Sequence, residues 1–428
     1  MGTQWKRIVM GGVAIGAFVL ASVAQAQEAV RLDDLIREAV ENNPEVKARY
    51  DIFQAAEHRI KQAVSLQDPV LNAGYFMRNP ETRVGPQIGR YGIAQKFPFF
   101  GKLTLRGQVA LKERDIAYQG YETTVREVIK NVKHAYYDLY WVRNSTSMIE
   151  DIKGLLDELE KIAESKYSTG IASQQDVMKA QVEISKLMAK LYRLSEQEVT
   201  LKEKINTLLN RPIETPVGPL AKVVLTPFPY SLQTLVSLSD RYRQELKAAA
   251  LNTEKYNHVV ALKKKDYFPD VTLGVDFIDV GSGKTAAFND GQDAWLGKVA
   301  INLPIWRGRL KAGVNEAKKK LSASRNIYQN VRNRVAFQLK DAYFRMTTAK
   351  DLVKLYKDVL IPQAEESLKA ARAGYETGKT DFLNLIDSER ILLNFKIAYY
   401  RSVADYEKAV ADLERAVGID VKDFARAE

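Results

Sequence analysis

Apolar side chains step along this chain by threes and fours over very long stretches. Val125, Val128, Val132, Ala135, Leu139 and Val142 keep the rhythm, and Ile149, Ile152, Leu156 and Leu159 continue it. Leu339, Ala342, Met346, Ala349, Val353, Tyr356 and Leu360 repeat it further on. So do Val177, Ala180, Ile184, Leu187, Leu191 and Leu194, and then Tyr399, Val403, Tyr406, Val410, Leu413 and Val417. Such a stripe marks one buried helix face, and sustained heptads of small and medium residues pack knobs into holes. The pattern predicts helices over about Leu32–Ser65, Leu103–Lys166, Gln174–Asn210, Leu232–Lys265, Leu310–Gly374 and Phe382–Val417. A helix of about 64 residues spans roughly 95 Å, and the two shorter helices beside it sum to roughly 105 Å. Stacked end to end, the shorter pair matches one long helix, so each half of the chain becomes a rod about 100 Å long. Pro362 breaks the second long helix's hydrogen-bond ladder, and its aligned counterpart Gly154 is a weak helix residue. Both long helices are expected to bend there.

Between these helices the period changes from 3.6 to 2. Val271, Leu273, Val275 and Phe277 alternate with Thr272, Gly274 and Asp276. Val299, Ile301, Leu303 and Ile305 alternate with Lys298, Ala300, Asn302 and Pro304. Tyr91, Ile93 and Phe97, and less cleanly Ala73, Tyr75 and Met77, do the same. A half-buried sheet and a transmembrane barrel strand share this alternation. Six aromatics, Phe97, Phe99, Phe100, Tyr267, Phe268 and Trp306, sit where strands meet helices. Side by side they form a girdle at a membrane interface, which favours the barrel over a plug of core aromatics. The hairpin loops Asn79–Gln87 and Gly281–Asp293 are polar and glycine-rich, as expected outside. Four strands cannot close a barrel, since the smallest use about eight, and open edges cannot sit in lipid. The chain is therefore expected to oligomerise, each subunit lending a sheet.

The plan is written twice. "NNPEVKA" at 42–48 matches "YRQELKA" at 242–248, and "SLQDPVLNAGYF" at 65–76 matches "KKDYFPDVTLGVDF" at 264–277. "KFPFFGKL" at 96–103 matches "NLPIWRGRL" at 302–310, and "KHAYYDLY" at 133–140 matches "KDAYFRMT" at 340–347. The turns "KYSTG" at 166–170 and "GYETG" at 374–378 complete the order. Coincidence does not order matches this way, so the chain is read as an internal duplication. The expected organisation is a leader at 1–26, a first repeat at 27–210, a linker at 211–231, a second repeat at 232–420 and a tail at 421–428. The linker cannot be helix, because it holds five of the thirteen prolines.

The leader has Lys6 and Arg7, an apolar run from Ile8 to Val23, and Ala24-Gln25-Ala26 at the cleavage position. This pattern predicts a secretory signal, cut before Gln27. There is no Cys, so no disulfide and no lipidated cysteine, which suits a bacterial envelope. No later stretch is apolar enough for a transmembrane helix, so membrane entry must use a barrel. The net charge of +11 falls by two, to +9, without Lys6 and Arg7. Its charges are spread along helices beside many acids, which together with secretion argues against nucleic acid. "GSGKT" at 281–285 lacks the leading glycine of a phosphate loop, since Ile278 stands there. His58 and His258 occupy equivalent repeat positions without partner ligands, so no metal and no cofactor is expected. No nucleophile–base or carboxylate pair stands out, and no catalytic residue is expected.

Signal peptide, duplication, paired short hairpins, the "FPFFGKL" and "LPIWRGRL" junctions, the Pro-rich midpoint and the "YSTG/YETG" turns together resemble the TolC family of outer-membrane efflux proteins. The resemblance covers essentially the whole mature chain. It implies a membrane α+β fold: an outer-membrane β-barrel of four strands per chain closed by trimerisation, continued by an α-helical coiled-coil periplasmic tunnel. It implies a passive exit duct for tripartite efflux or type I secretion. The homotrimer would sit in outer-membrane lipid and meet a periplasmic adaptor and an inner-membrane pump of RND or ABC type. The adaptor would meet tips formed by Ser168, Thr169, Gly170 and Ile171, and by Glu376, Thr377 and Gly378. The family's gate maps onto Asp176, six residues after Gly170, and onto Tyr375, which would bond to it. Of two gate acids, one is kept as Asp387 and the other is Asn384. A basic gate residue is replaced by Thr380, with Lys379 adjacent. Three copies of Asp387 at a constriction would attract cations; otherwise Asp176 and Asp387 are solvated acids near helix N-termini. The competing reading is an adhesive or structural envelope coiled-coil protein with a closed, non-conducting barrel.

Overall fold

The computed structural model describes residues 29–427 except Lys284, with side chains as far as Phe424; the leader expected at 1–26 lies outside the described residues. The first half runs α1 (Leu32–Asn42), α2 (Pro44–Val64), β1 (Val70–Tyr75), β2 (Glu81–Thr82), β3 (Gly85–Phe97), α3 (Lys102–Ser168) and α4 (Gln174–Leu209). The second runs α5 (Leu232–Tyr242), α6 (Gln244–Lys265), β4 (Val271–Val280), β5 (Ala294–Ile301), α7 (Arg307–Leu355), a π-turn (Tyr356–Leu360), α8 (Ile361–Glu376) and α9 (Phe382–Val417). A last helix, α10, spans Val421–Ala427.

Several elements differ from expectation for identifiable reasons. The helix expected over Leu32–Ser65 breaks at Asn43. Its side-chain oxygen accepts from the N–H groups of Glu45 and Val46 and caps α2, with Pro44 at the first helical position. Its amide nitrogen donates to the Leu208 carbonyl at 3.0 Å. The helix expected over Leu232–Lys265 breaks at the matching place, Arg243. Only one of the two long helices is interrupted. Pro362 cannot donate and its ring crowds the carbonyl four residues back, and the turn before it widens to a π-turn. Gly154 keeps its N–H, so α3 stays continuous through it. The fourth strand stops at Ile301 rather than Ile305, ahead of Pro304, and Met77 lies beyond the end of β1. Inside the expected loop Asn79–Gln87, β2 pairs with the start of β3.

The long strands form an antiparallel sheet in the order β1-β3-β4-β5, so strands from the two halves pair at its centre. The helices pack along seams of the apolar stripes. Val132, Ala135, Leu139 and Val142 of α3, and Leu339 and Ala342 of α7, are fully buried. Each buried Leu or Val contributes about 1.5–3 kcal/mol relative to exposure. Ion pairs join α3 to α9: Lys133 to Glu414, Lys408 to Asp138 at 2.7 Å, and Arg415 to Glu127 at 3.0 Å.

The linker at 211–231 lies against this wall as an extended strap. Its backbone groups are met by side chains from the helices, as buried main chain requires. Arg143 donates to the carbonyls of Val217 and Gly218, Tyr406 donates to that of Thr226, and buried Glu407 accepts from the Thr226 N–H and hydroxyl. The segment expected as a tail at 421–428 is mostly helix, and Phe424 is fully buried against Phe228 and Tyr230.

Candidate functional site

The ends of the two helical hairpins are built alike. Gly170 and Gly378 both adopt φ of +74°, the left-handed conformation that glycine supplies without strain. Ile171 N–H donates to the Lys166 carbonyl and Gly170 N–H to that of Tyr167; 208 positions on, Lys379 donates to Gly374 and Gly378 to Tyr375. This is a Schellman pair at each helix end. Ser168, Thr169, Gly170, Ile171, Glu376, Thr377 and Gly378 all face solvent. The second tip has one extra constraint. Thr380 folds over Gly374, where a Cβ would lie 2.2 Å from its hydroxyl oxygen.

Tyr375 links the two hairpins. Its ring is buried beside Phe382 at 5.3 Å, in a cluster that includes Val177, Ala180 and Leu385. Lys166, on the other hairpin, donates to the Tyr375 carbonyl at 2.7 Å and stands 4.1 Å from its ring centroid. The expected bond from Tyr375 to Asp176 is not made: the buried hydroxyl has no hydrogen-bond partner. Burial, and then the nearby Asp176 charge, push the Tyr375 hydroxyl above its ordinary pKa. The ring lies in the apolar seam, and Lys166 makes the polar contact between the hairpins.

Asp387 is exposed and lies 3.5 Å from Arg390 one turn on, which also approaches Glu183 of α4 at 3.9 Å. Asn384 is exposed, and its N–H is capped by Asp381. Lys379 is exposed and carries no acid partner among the described ion pairs, while Thr380 is half-buried.

Glu389 was missed. It is 2% exposed, and neither carboxylate oxygen has a hydrogen-bond partner. Burial pushes its carboxyl up to about 7, against a small opposing pull from Arg372. Leu155, Leu159, Leu385 and Leu392 surround it on one side. The signal was present: Phe382, Leu385, Glu389 and Leu392 keep the three-four spacing, so an acid stands on an apolar stripe.

At the opposite end, the sheet has two unlike faces. Residues paired across strands share a face. Leu71–Ile93, Tyr91–Phe277, Leu273–Val299 and Val271–Ile301 are such pairs, and Leu71, Ile93, Leu273, Val299 and Ile301 are exposed there. The other face carries Arg90, Asp276 and Lys298, joined through the Asp276 carboxylate. The outer edges of β1 and β5 have no partner among the described residues. Below the sheet, Phe99 stacks on Phe268 at 4.6 Å and meets Phe100 at 5.9 Å. Tyr267 lies under the Arg307 guanidinium at 5.5 Å, and Phe97, Phe100, Phe268 and Trp306 are exposed. Within "GSGKT" the Gly283 N–H donates to Asp290, and the next element is the strand β5 rather than a helix. His58 and His258 lie on α2 and α6, and no cluster of potential metal ligands occurs among the described residues.

A family model for outer membrane efflux proteins matches residues 35–211 and again residues 235–419. The chain belongs to that family. It is 22% identical to Nodulation protein T of Rhizobium leguminosarum bv. trifolii, over 92% of this chain and 87% of that protein. It is also 22% identical to the probable efflux pump outer membrane protein TtgC of Pseudomonas putida, over 98% and 90%. Its fold is that of the outer membrane protein VceC of Vibrio cholerae, with a TM-score of 0.77 at 19% identity, covering 91% and 96% of the two chains. This efflux protein is thus an outer-membrane channel component with a long helical part, and its family is one of transport proteins. None of its helices in the described residues is long and apolar enough to cross a membrane.

Proposed function

We propose that this efflux protein is the passive exit duct of a tripartite pump or type I secretion machine. Three copies, each lending four long strands, close a barrel of about twelve strands in the outer membrane. The helices continue that barrel as a tunnel across the periplasm. The duplicated plan supplies two hairpin tips per chain for a periplasmic adaptor, which couples the duct to an RND or ABC pump in the inner membrane. The six junction aromatics form the girdle at the periplasmic boundary of the outer membrane. The tip around Asp176, Tyr375, Asn384, Asp387, Lys379 and Thr380 is the gate.

One observation carries the reading: an antiparallel sheet with an exposed apolar face, a charged opposite face and two unpaired edges. In water such a face and such edges would aggregate; in lipid the face is satisfied and only closure with further copies satisfies the edges. The test is reconstitution of the mature chain. The duct should run as a trimer by sedimentation in detergent and give small single-channel steps in planar bilayers. A trimer silent even when the tip is destabilised would instead favour the non-conducting coiled-coil reading.

A further inference from the structure

We propose that the barrel lumen carries a cationic collar, two tiers of Lys and Arg on sunken carboxylates with Arg90, Lys298 and Lys96 exposed and Lys102 buried, and that this collar makes the outer section of the duct prefer anionic solutes. The inference rests on the duct reading, because it takes the charged face of the sheet as the lumen.

The upper tier is centred on Asp276. Its register partner on β3 is Gly92, and a Cβ there would lie 2.0 Å from the Asp276 oxygen. The absence of a side chain lets the carboxylate lie flat on the sheet, and only 2% of that side chain is exposed. Arg90 reaches it from one neighbouring strand, Nε to Oδ2 at 2.5 Å, and Lys298 from the other at 2.5 Å. The lower tier repeats the design at Asp270, six residues earlier, or about 20 Å along an extended chain. Asp270 takes Lys102 at 2.7 Å, Lys96 at 3.3 Å and the Phe99 N–H at 2.9 Å.

Each tier has two cations on one carboxylate. Simple pairing would need only one, so each tier leaves a surplus positive charge. Exposure decides which sign a passing solute meets. The two carboxylate side chains are 2% and 11% exposed, while Arg90, Lys298 and Lys96 are 44%, 35% and 45% exposed. The register partners Gly74 beside Arg90 and Gly274 beside Lys298 are too small to shield them, although Ile278 and Leu296 stand on the same face. A closed assembly of three chains would hold about six surplus charges in a confined bore with low-dielectric walls, where rings of fixed charge select counter-ions.

The experiment is reversal potential in planar bilayers across a tenfold KCl gradient, for the full mature chain, Lys96→Gln, Lys298→Gln and the double variant. Each substitution leaves its Asp one cation partner. The chloride-to-potassium permeability ratio should fall stepwise, by about twofold or more in the double variant. Inorganic pyrophosphate on the external side should block the unsubstituted channel and lose about fivefold in potency in the double variant. Unchanged ratios, or an unsubstituted channel that external pyrophosphate does not block, overturn the collar; the second readout needs no variant to fold. An unsubstituted trimer with no conductance overturns the duct reading itself, a distinct result.

Discussion

Lys166 of the first hairpin holds Tyr375 of the second twice, by donating to its carbonyl at 2.7 Å and by standing 4.1 Å from its ring centroid. The Tyr375 hydroxyl meanwhile has no partner. The two contacts therefore predict different outcomes for two substitutions. Lys166→Ala removes a charged hydrogen bond and a cation–π contact, worth about 1 kcal/mol at this partly exposed site. It should raise open probability several-fold. Tyr375→Phe removes only an unpaired buried hydroxyl and should be neutral or slightly stabilising, with conductance unchanged. If Tyr375→Phe opens the channel as strongly as Lys166→Ala, a hydroxyl bond to Asp176 is the latch after all. Single-channel recording of both variants separates the cases.

Gly374 and Thr380 form a second tip contact that can be tested in both directions. A methyl on Gly374 would need the space of the Thr380 hydroxyl, 2.2 Å away, whereas Gly154 has open space around it. Gly374→Ala should therefore cost about 1–3 kcal/mol locally through overpacking. Faster cleavage at the second tip in limited proteolysis would report it. Thr380→Gly in the same chain should restore much of the resistance. Equal protection of the Gly374→Ala tip and the unsubstituted one would show that the turn adapts at no cost.

What could be read from the chain beforehand follows the range of each interaction. The helical seams were legible because a stripe such as Val128, Val132, Ala135 and Leu139 needs only local spacing. The break at Asn43 is also written locally, in an Asn-Pro pair that caps and starts a helix, but the apolar rhythm continues across it and hides it. Pro362 marked a real irregularity, yet the π-turn precedes it and nothing in the sequence distinguishes that outcome from a kink. The collar could not be read, since Arg90 and Asp276 are 186 positions apart and meet only through strand register. The Tyr375 hydroxyl likewise depends on how two hairpins are rotated against each other, which neither hairpin's sequence specifies alone.

A ring of Asp387 at the tip would prefer cations, and Arg390, 3.5 Å away, would partly neutralise it. The pair predicts opposite shifts. Asp387→Ala should lower the potassium-to-chloride permeability ratio, and Arg390→Gln should raise it, each by about twofold, because a ring of like charge sets the local ion concentration. Both shifts should shrink at 1 M salt, where the Debye length is about 3 Å. Reversal potentials unaffected by either change would remove Asp387 from the aperture.

Glu389 makes the tip sensitive to pH, and the direction is determined by its burial. Its carboxyl is pushed up to about 7 in the folded chain, from 4.5 in the unfolded one. Between those values the folded state keeps a proton that the unfolded state has released, so stability falls as pH rises through this window. Below it both states are protonated, and above it both are ionised and the penalty is constant, at most about 3 kcal/mol per chain. Arg372, Glu365 and Lys369 face it on one side, and Glu183, Lys186, Lys190 and Arg390 line the small cavity on the other. None of them gives its oxygens a hydrogen bond. Glu389→Gln should flatten the dependence of Tm between pH 5 and 8 and raise Tm at pH 8, with little change at pH 5. The unsubstituted trimer should also conduct more readily at pH 8 than at pH 5, since an ionised carboxylate in the seam loosens the packing of α9 against α3. A Tm slope identical in the two chains would mean that water reaches Glu389 and that its charge is not held in the seam.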